Sequence, residues 1–190
     1  MTTPTLEGKR VRLGRMEGEK DLESWAGWFR NVEFQHLLDV EPPHLWSAGQ
    51  IQTWLERKDD RSVLFGIRTL EDDALIGFVT LEAPDWTART AWTSIGIGVE
   101  ARWGQGLGRE AMSLLLGYAF ETLHLNRVSL TVFEYNQRAI RCYLRCGFLE
   151  EGRARLAVQR FGRRWDLVYM GFLYEDWLCL KKREEPVILS

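Results

Sequence analysis

Charged and apolar residues alternate through "KRVRLGRM" (9–16), a period of two that predicts a strand. Leu22, Trp25 and Phe29 then recur on one face of a helix. After the loop "LLDVEPPHLW", Ser47 with Gln50 three residues later forms a capping-box pattern, and Ile51, Trp54 and Leu55 supply the buried stripe of a second helix. Three strand-like runs follow, "SVLFGIRT" (62–69), "ALIGFVTLE" (74–82) and "AWTSIGIGV" (91–99), and the acidic turn "LEDD" predicts that the first two form a hairpin. From Gly106 to Leu123 the apolar positions return to helical spacing, and "RVSLTVFE" (127–134) reads as another strand. Asn136 is placed to cap the helix "QRAIRCYLRC" and Gly147 to stop it; "FLEEGRARLAVQR" and "RWDLVYMGFLY" form a last hairpin across "FGR". The pattern predicts an α+β sheet of mixed, mostly antiparallel direction, with about seven strands and four flanking helices. From Glu175 it predicts a short helix and a loose end.

The segment "RWGQGLGREA" (102–111) interrupts this pattern with glycines at 104, 106 and 108, between a strand and a helix. A turn feeding a helix N-terminus offers unpaired amides and the positive end of the helix dipole, so glycines there let a phosphate reach the backbone. A tight turn packed on a neighbouring strand would ask for the same residues. The spacing excludes a P-loop, because Gly108 is followed by Arg109 and Glu110, and it lacks the glycine and acidic positions of a dinucleotide fingerprint.

Composition adjusts the picture little. The chain has 190 residues, 25 basic and 27 acidic, for a net charge of −2. That balance suits one domain binding small molecules or peptides, and argues against nucleic acid or a membrane surface as partner. No apolar run reaches a membrane span, and "MTTPTLEGKR" lacks a signal-peptide core; a cytoplasmic address is expected. Three cysteines fit reduced thiols, and neither they nor His36 and His44 have metal-ligand spacing, so no metal is expected. Trp25, Trp28, Trp46 and Trp54 suit either the core or a homodimer contact.

Taken together, "IGIGVEARWGQGLGREA" and "VFEYNQRAIRCYLRCGFLEEGRAR" resemble the GCN5-related N-acetyltransferase (GNAT) superfamily, and within it the ribosomal-protein N-terminal acetyltransferase (RimJ/RimL-like) branch. The likeness runs from Val11 to Leu173 and implies one acetyltransferase domain over residues 1–175, a tail over 176–190, and a sheet splayed in its middle. Its implied cosubstrate is acetyl-CoA. The pyrophosphate turn falls on Trp103, Gly104, Gln105, Gly106, Leu107 and Gly108, with Arg109 following; Trp103 departs from the family's Gln/Arg at the first position. By the same resemblance Ile97, Gly98 and Val99 offer main-chain bonds to pantetheine at a bulge, Asn136 binds the cofactor arm with Ala139 beside it, and Tyr143 matches the family's tyrosine.

Direct acetyl transfer to an amine needs a neutral nucleophile, a stabilised oxyanion and a proton for the departing thiolate. With a thiol pKa of ~8.5 and a tyrosine pKa of ~10, Tyr143 can supply that proton near neutral pH. The base is expected at Glu134, the acidic residue nearest to Asn136, with Glu82 and Asp85 at the end of the third strand or Asp39 and Glu41 in the early loop as alternatives. The resemblance implies an acceptor pocket built from the segment between the first two helices, with Asp39, Glu41 and His44, and from the final hairpin; Glu82 at the end of the third strand is a further substrate-binding candidate. The acceptor is a protein N-terminal α-amine or a small-molecule amine; a non-catalytic acyl-CoA sensor or scaffold is the other reading.

Overall fold

The computed structural model describes residues 5–57 and 62–184. In chain order it contains β1 (Leu6–Glu7), β2 (Val11–Gly14), α1 (Gly18–Trp28), α2 (Val32–Leu38), α3 (Ala48–Arg57), β3 (Val63–Thr69), β4 (Leu75–Asp85), β5 (Thr90–Ile97), α4 (Leu107–Gly117), β6 (Arg127–Phe133), α5 (Gln137–Cys146), β7 (Leu149–Arg160), β8 (Arg163–Leu173) and α6 (Tyr174–Glu184). The strands form one sheet of eight in the order β1-β2-β3-β4-β5-β6-β8-β7. Every neighbouring pair is antiparallel except β5–β6.

This is the expected α+β architecture with one more strand, the two-residue β1, and with α2 between the first expected helix and the loop, overlapping the loop at Leu37 and Leu38. Asn31 starts α2 by accepting the Phe34 amide on its side chain at 3.1 Å. The capping box at Ser47 forms as expected: Gln50 N–H donates to Ser47 Oγ at 3.2 Å and Ser47 N–H to Gln50 Oε1 at 2.9 Å. The helix expected over 106–123 is α4 followed by one π-helical turn, Tyr118–Thr122. The tail begins as α6, whose Trp177 packs against Phe120 and Phe172; its last six residues lie outside the described ones.

Two apolar clusters fix which elements meet. One face of the sheet carries Phe65, Ile67, Val79, Leu130, Val168 and Met170 against Ala111, Leu115 and Leu116 of α4 and Ile140 of α5. On the other face α1, α2 and α3 bury Trp25, Trp28, Phe34 and Ile51 over Phe78. Trp25 stacks on Phe78 at 4.8 Å and Trp28 is buried, so these two indoles belong to the core. Asp21, 3% exposed, ties α1 to β3 by accepting from Arg68 Nη2 at 2.5 and 2.7 Å. Since a buried carboxylate without a partner costs several kcal/mol, that pair sets where α1 lies. Among the described residues no helix is long and apolar enough to cross a membrane.

Sheet pairing also makes the opening that the site uses. The parallel ladder holds for Thr90↔Arg127, Ala91↔Val128 and Trp92↔Ser129, and then stops. Beyond it β5 stays on β4 and β6 stays on β8, so the two halves of the sheet part. At the end of β5 the amides of Gly98 and Val99 both point at the Ile76 carbonyl, at 2.8 and 3.4 Å, the two-against-one arrangement of a bulge.

Candidate active site

A cavity of about 670 Å³ fills the parting of β5 and β6. Its walls come from Thr93 to Ile97 on β5, Thr131 to Phe133 on β6, the turn before α4, one face of α5, and Phe34, Leu37 and Leu38 of α2. It runs through the sheet. Alternation along a strand sends successive side chains to opposite faces, so Ser94, Thr131 and Phe133 face α2 while Ile95, Ile97 and Val132 face α4 and α5.

The glycine turn is shaped for an anion. Gly104 and Gly106 have φ of +74° and +82°, a left-handed conformation that side chains disfavour. Gly106 is the N-cap of α4, and the amides of Leu107, Gly108 and Arg109 are first-turn donors without an intrahelical acceptor. The turn is held from behind. Arg10 Nη1 donates to the Gln105 carbonyl at 2.9 Å, and Glu110 Oε1 accepts the Lys9 and Arg10 amides at 2.6 and 2.7 Å while its Oε2 accepts Arg10 Nε at 3.1 Å. Burial alone would raise the Glu110 carboxyl, but these bonds outweigh it and hold the group below its usual range. Trp103 closes the other side: its indole N–H donates to the Ile97 carbonyl at 2.6 Å, and the Arg138 guanidinium sits 4.0 Å over its ring.

Arg102, Arg109, Arg138, Arg141 and Arg145 all line the cavity. The chain's net charge of −2 hides this local excess of positive charge. Its signal was legible, because Arg138, Arg141 and Arg145 are spaced i, i+3, i+7 and therefore share one face of α5.

Of the expected cofactor residues, Ile97, Trp103, Gly104, Gly106, Leu107, Gly108, Arg109, Asn136, Ala139 and Tyr143 line the cavity. Gly98 and Val99 turn their amides onto Ile76 instead, so the main-chain groups of β5 that face the gap are those of Ile95 and Ile97. The small residues at 96 and 98 make room for aromatic rings: a Cβ on Gly98 would overlap the indole of Trp28, and one on Gly96 would crowd Phe34 and Phe78. Gln105 bends back to the Ala101 carbonyl at 2.8 Å and contributes its own carbonyl to Arg10.

Asn136 caps α5 by accepting the Ala139 amide at 3.1 Å, and two turns later Tyr143 lies against Phe148 with the cavity on its open side. Burial, and behind it the Cys142 and Cys146 thiols, push the Tyr143 phenol above its usual range, so it stays protonated and able to donate. Cys142 also lines the cavity.

The carboxylates fall differently from expectation. Glu134 lies outside the cavity: its Oε2 accepts the Asp166 amide at 3.1 Å and Arg153 is 3.7 Å from its Oε1, because β6 pairs with β8 there. The early loop is bound to β7. Asp39 accepts the Val40 amide at 2.6 Å, and Arg160 Nη2 reaches the carbonyls of Asp39, Val40 and Glu41 at 3.1, 2.9 and 3.3 Å. His44 packs between Phe29 and Trp46. None of Asp39, Glu41 and His44 lines the cavity; the apolar side chains of α2 do. Glu82 stands one hydroxyl away, accepting from Ser94 Oγ at 3.2 Å and from Thr80 Oγ1 at 2.8 Å. Among the described residues no cluster of three or more His, Cys, Asp or Glu side chains is placed to hold a metal ion.

A sheet split between β5 and β6, with a glycine turn and an arginine face on one side of the split and an apolar-walled opening on the other, defines an acyltransferase of the GNAT class. The comparisons agree: the family model described as acetyltransferase (GNAT) domain matches residues 10–149. The chain belongs to that family. YdaF of Bacillus subtilis (strain 168), named as a candidate ribosomal N-acetyltransferase, is 37% identical over 108 residues, 57% of this chain and 58% of its own length. The L-amino acid N-acetyltransferase AaaT of Escherichia coli (strain K12) is 30% identical over 118 residues, 62% of this chain and 73% of AaaT. The crystal structure of spermidine N-acetyltransferase from Vibrio cholerae in complex with CoA and spermine superposes with a TM-score of 0.78 at 26% identity, covering 88% of this chain and 98% of that one.

Proposed function

We propose that the protein transfers the acetyl group of acetyl-CoA directly to a primary amine, either a small-molecule amine or a peptide N-terminus as its RimJ/RimL-like sequence features suggest. The observation that carries this reading is the cavity passing through the sheet, with phosphate-binding chemistry on one face and Tyr143 beside the gap. The amides of Leu107, Gly108 and Arg109 hold the diphosphate, with Arg138, Arg141 and Arg145 adding charge. The pantetheine arm lies along the edge of β5 that faces the gap, where Ile95 presents its amide and carbonyl and Ile97 its amide, the Ile97 carbonyl being held by Trp103.

The chemistry then follows from position. The amine enters from the α2 face and attacks the thioester carbonyl carbon; the carbon–sulfur bond breaks as the tetrahedral oxyanion collapses, and the Tyr143 hydroxyl gives its proton to the departing thiolate. The amides of Ile95 and Ile97, which face the gap, are the main-chain donors available to the oxyanion. Glu82, reached through Ser94, draws the acceptor's ammonium and takes its proton through water, in place of Glu134. A reducing, cytoplasmic setting suits the chain, whose three cysteines are all free thiols.

Mass detection of acetylated products from a panel of amines and peptides, with CoA release followed in parallel, tests this reading. Stoichiometric product and CoA are expected for at least one acceptor class. Tight acetyl-CoA binding with no product from any amine would favour the sensor reading.

A further inference from the structure

Next to the gap, where the β5–β6 ladder ends, the α2 face of the sheet carries a second recess. Along β5, Trp92 is two residues from Ser94, and along β6, Ser129 is two residues from Thr131, a distance of about 7 Å at strand spacing. Trp92 and Ser129 face each other across the last rung of the parallel ladder, and Tyr169 lies opposite Thr131 on β8. There Trp92, Ser129, Tyr169, Arg127 and Glu151 line a hollow of about 240 Å³.

The hollow is a constructed feature. Trp92 and Tyr169 are 44% and 38% exposed, with their rings edge to face at 6.4 Å. Its far wall is the ion pair between Arg127 and Glu151. Arg127 Nη1 donates to Glu151 Oε1 at 2.8 Å, Nη2 donates to Oε2, and Nε donates to Ser129 Oγ at 2.9 Å. Gly171 lies beneath that pair, and a Cβ there would run into both side chains. Two large aromatic surfaces left in contact with water, beside a carboxylate whose charge its own guanidinium cancels, are suited to an uncharged, flat group. Glu151, the carboxylate in the lining, is paired with Arg127, and Glu82, opposite Trp92 on β4, is turned to Ser94, where the reacting nitrogen sits.

Resting on the acetyl-transfer reading, we infer that this recess holds the tail of the acceptor. The acceptor class is then a primary monoamine carrying an aromatic or broad apolar group about 7 Å from the reacting nitrogen. Trp92 and Tyr169 are its specificity residues. The nitrogen sits by Ser94 and Thr131 at the gap, the tail runs along the strands, and the two rings close on its end.

Steady-state kinetics with 4-phenylbutylamine, propylamine and 1,4-diaminobutane test the assignment. The wild-type chain is expected to favour 4-phenylbutylamine in kcat/KM over both others. Trp92→Ala is expected to raise KM for 4-phenylbutylamine about tenfold and to cut its kcat/KM advantage over propylamine by a similar factor, and Trp92→Phe to restore most of the loss. Preference for the diamine in the wild-type chain, or equal selectivity in Trp92→Ala, would overturn it. Should no amine turn over, the acetyl-transfer reading fails by itself, and calorimetry of 4-phenylbutylamine with the CoA-saturated protein still reads the recess. Binding that Trp92→Ala removes supports the site, and no binding to the wild-type chain overturns it.

Discussion

Tyr143→Phe is expected to lower kcat by roughly two to three orders of magnitude, the range for loss of a positioned general acid. KM for acetyl-CoA should change little, since the ring keeps its place against Phe148 and only the hydroxyl is lost. The pH profile carries the sharper signature. Because burial raises the phenol's pKa, the wild-type rate should show no fall through the ordinary tyrosine range near pH ~10 that is owed to this group. The residual rate of the Phe variant should instead depend on how readily solvent protonates the thiolate. Unchanged kcat at every pH would remove Tyr143 from the reaction while leaving the cofactor site intact.

Gly106→Val carries the second large effect. At φ +82° a β-branched residue is a severe backbone outlier, with a strain of about 1–3 kcal/mol. The turn relieves that strain by moving, which withdraws the amides of Leu107 and Gly108 from the diphosphate. Each hydrogen bond to a charged group contributes about 1.5–3 kcal/mol, so losing even one of the two should weaken CoA binding roughly 10- to 100-fold by calorimetry, and losing both by more. A Cβ at 106 meets only Arg10 Nη2, at 3.3 Å, the movable end of a long side chain. The fold should therefore survive, with an unchanged circular dichroism spectrum, and unchanged CoA affinity would count against the turn as the phosphate site.

The sequence made legible what depends on local spacing. The capping box at Ser47, the Asn136 cap with its Gly147 stop, both hairpins and the glycine turn are each written within a few neighbouring residues, and each forms as expected. The splay was legible only through resemblance, because it is set by where the β5–β6 ladder stops. Helix α2 escaped notice since seven residues give too short a run for a periodic stripe, and its Asn31 cap is a single polar residue.

The carboxylates were least legible. Nothing in the residues flanking Glu134, Asp39 and Glu82 tells which of them stands by the cavity; contact with other strands decides it. Arg153 on β7 holds Glu134, and Arg160 at the end of β7 holds the loop containing Asp39, more than a hundred residues away along the chain. The glycines at 96 and 98 mislead for a related reason. Closeness to a ligand and closeness to Trp28, Phe34 and Phe78 ask for the same absent side chain, and only the packing of α1 and α2 decides between them.

Calorimetric titration of the wild-type chain with CoA, beside pantetheine alone, tests the central assignment of the glycine turn and the α5 arginines most directly. The account predicts that CoA binds with an affinity that falls as salt rises, while pantetheine, which lacks the phosphates, binds at least tenfold more weakly. Equal affinities for the two, or no heat with CoA, would contradict it.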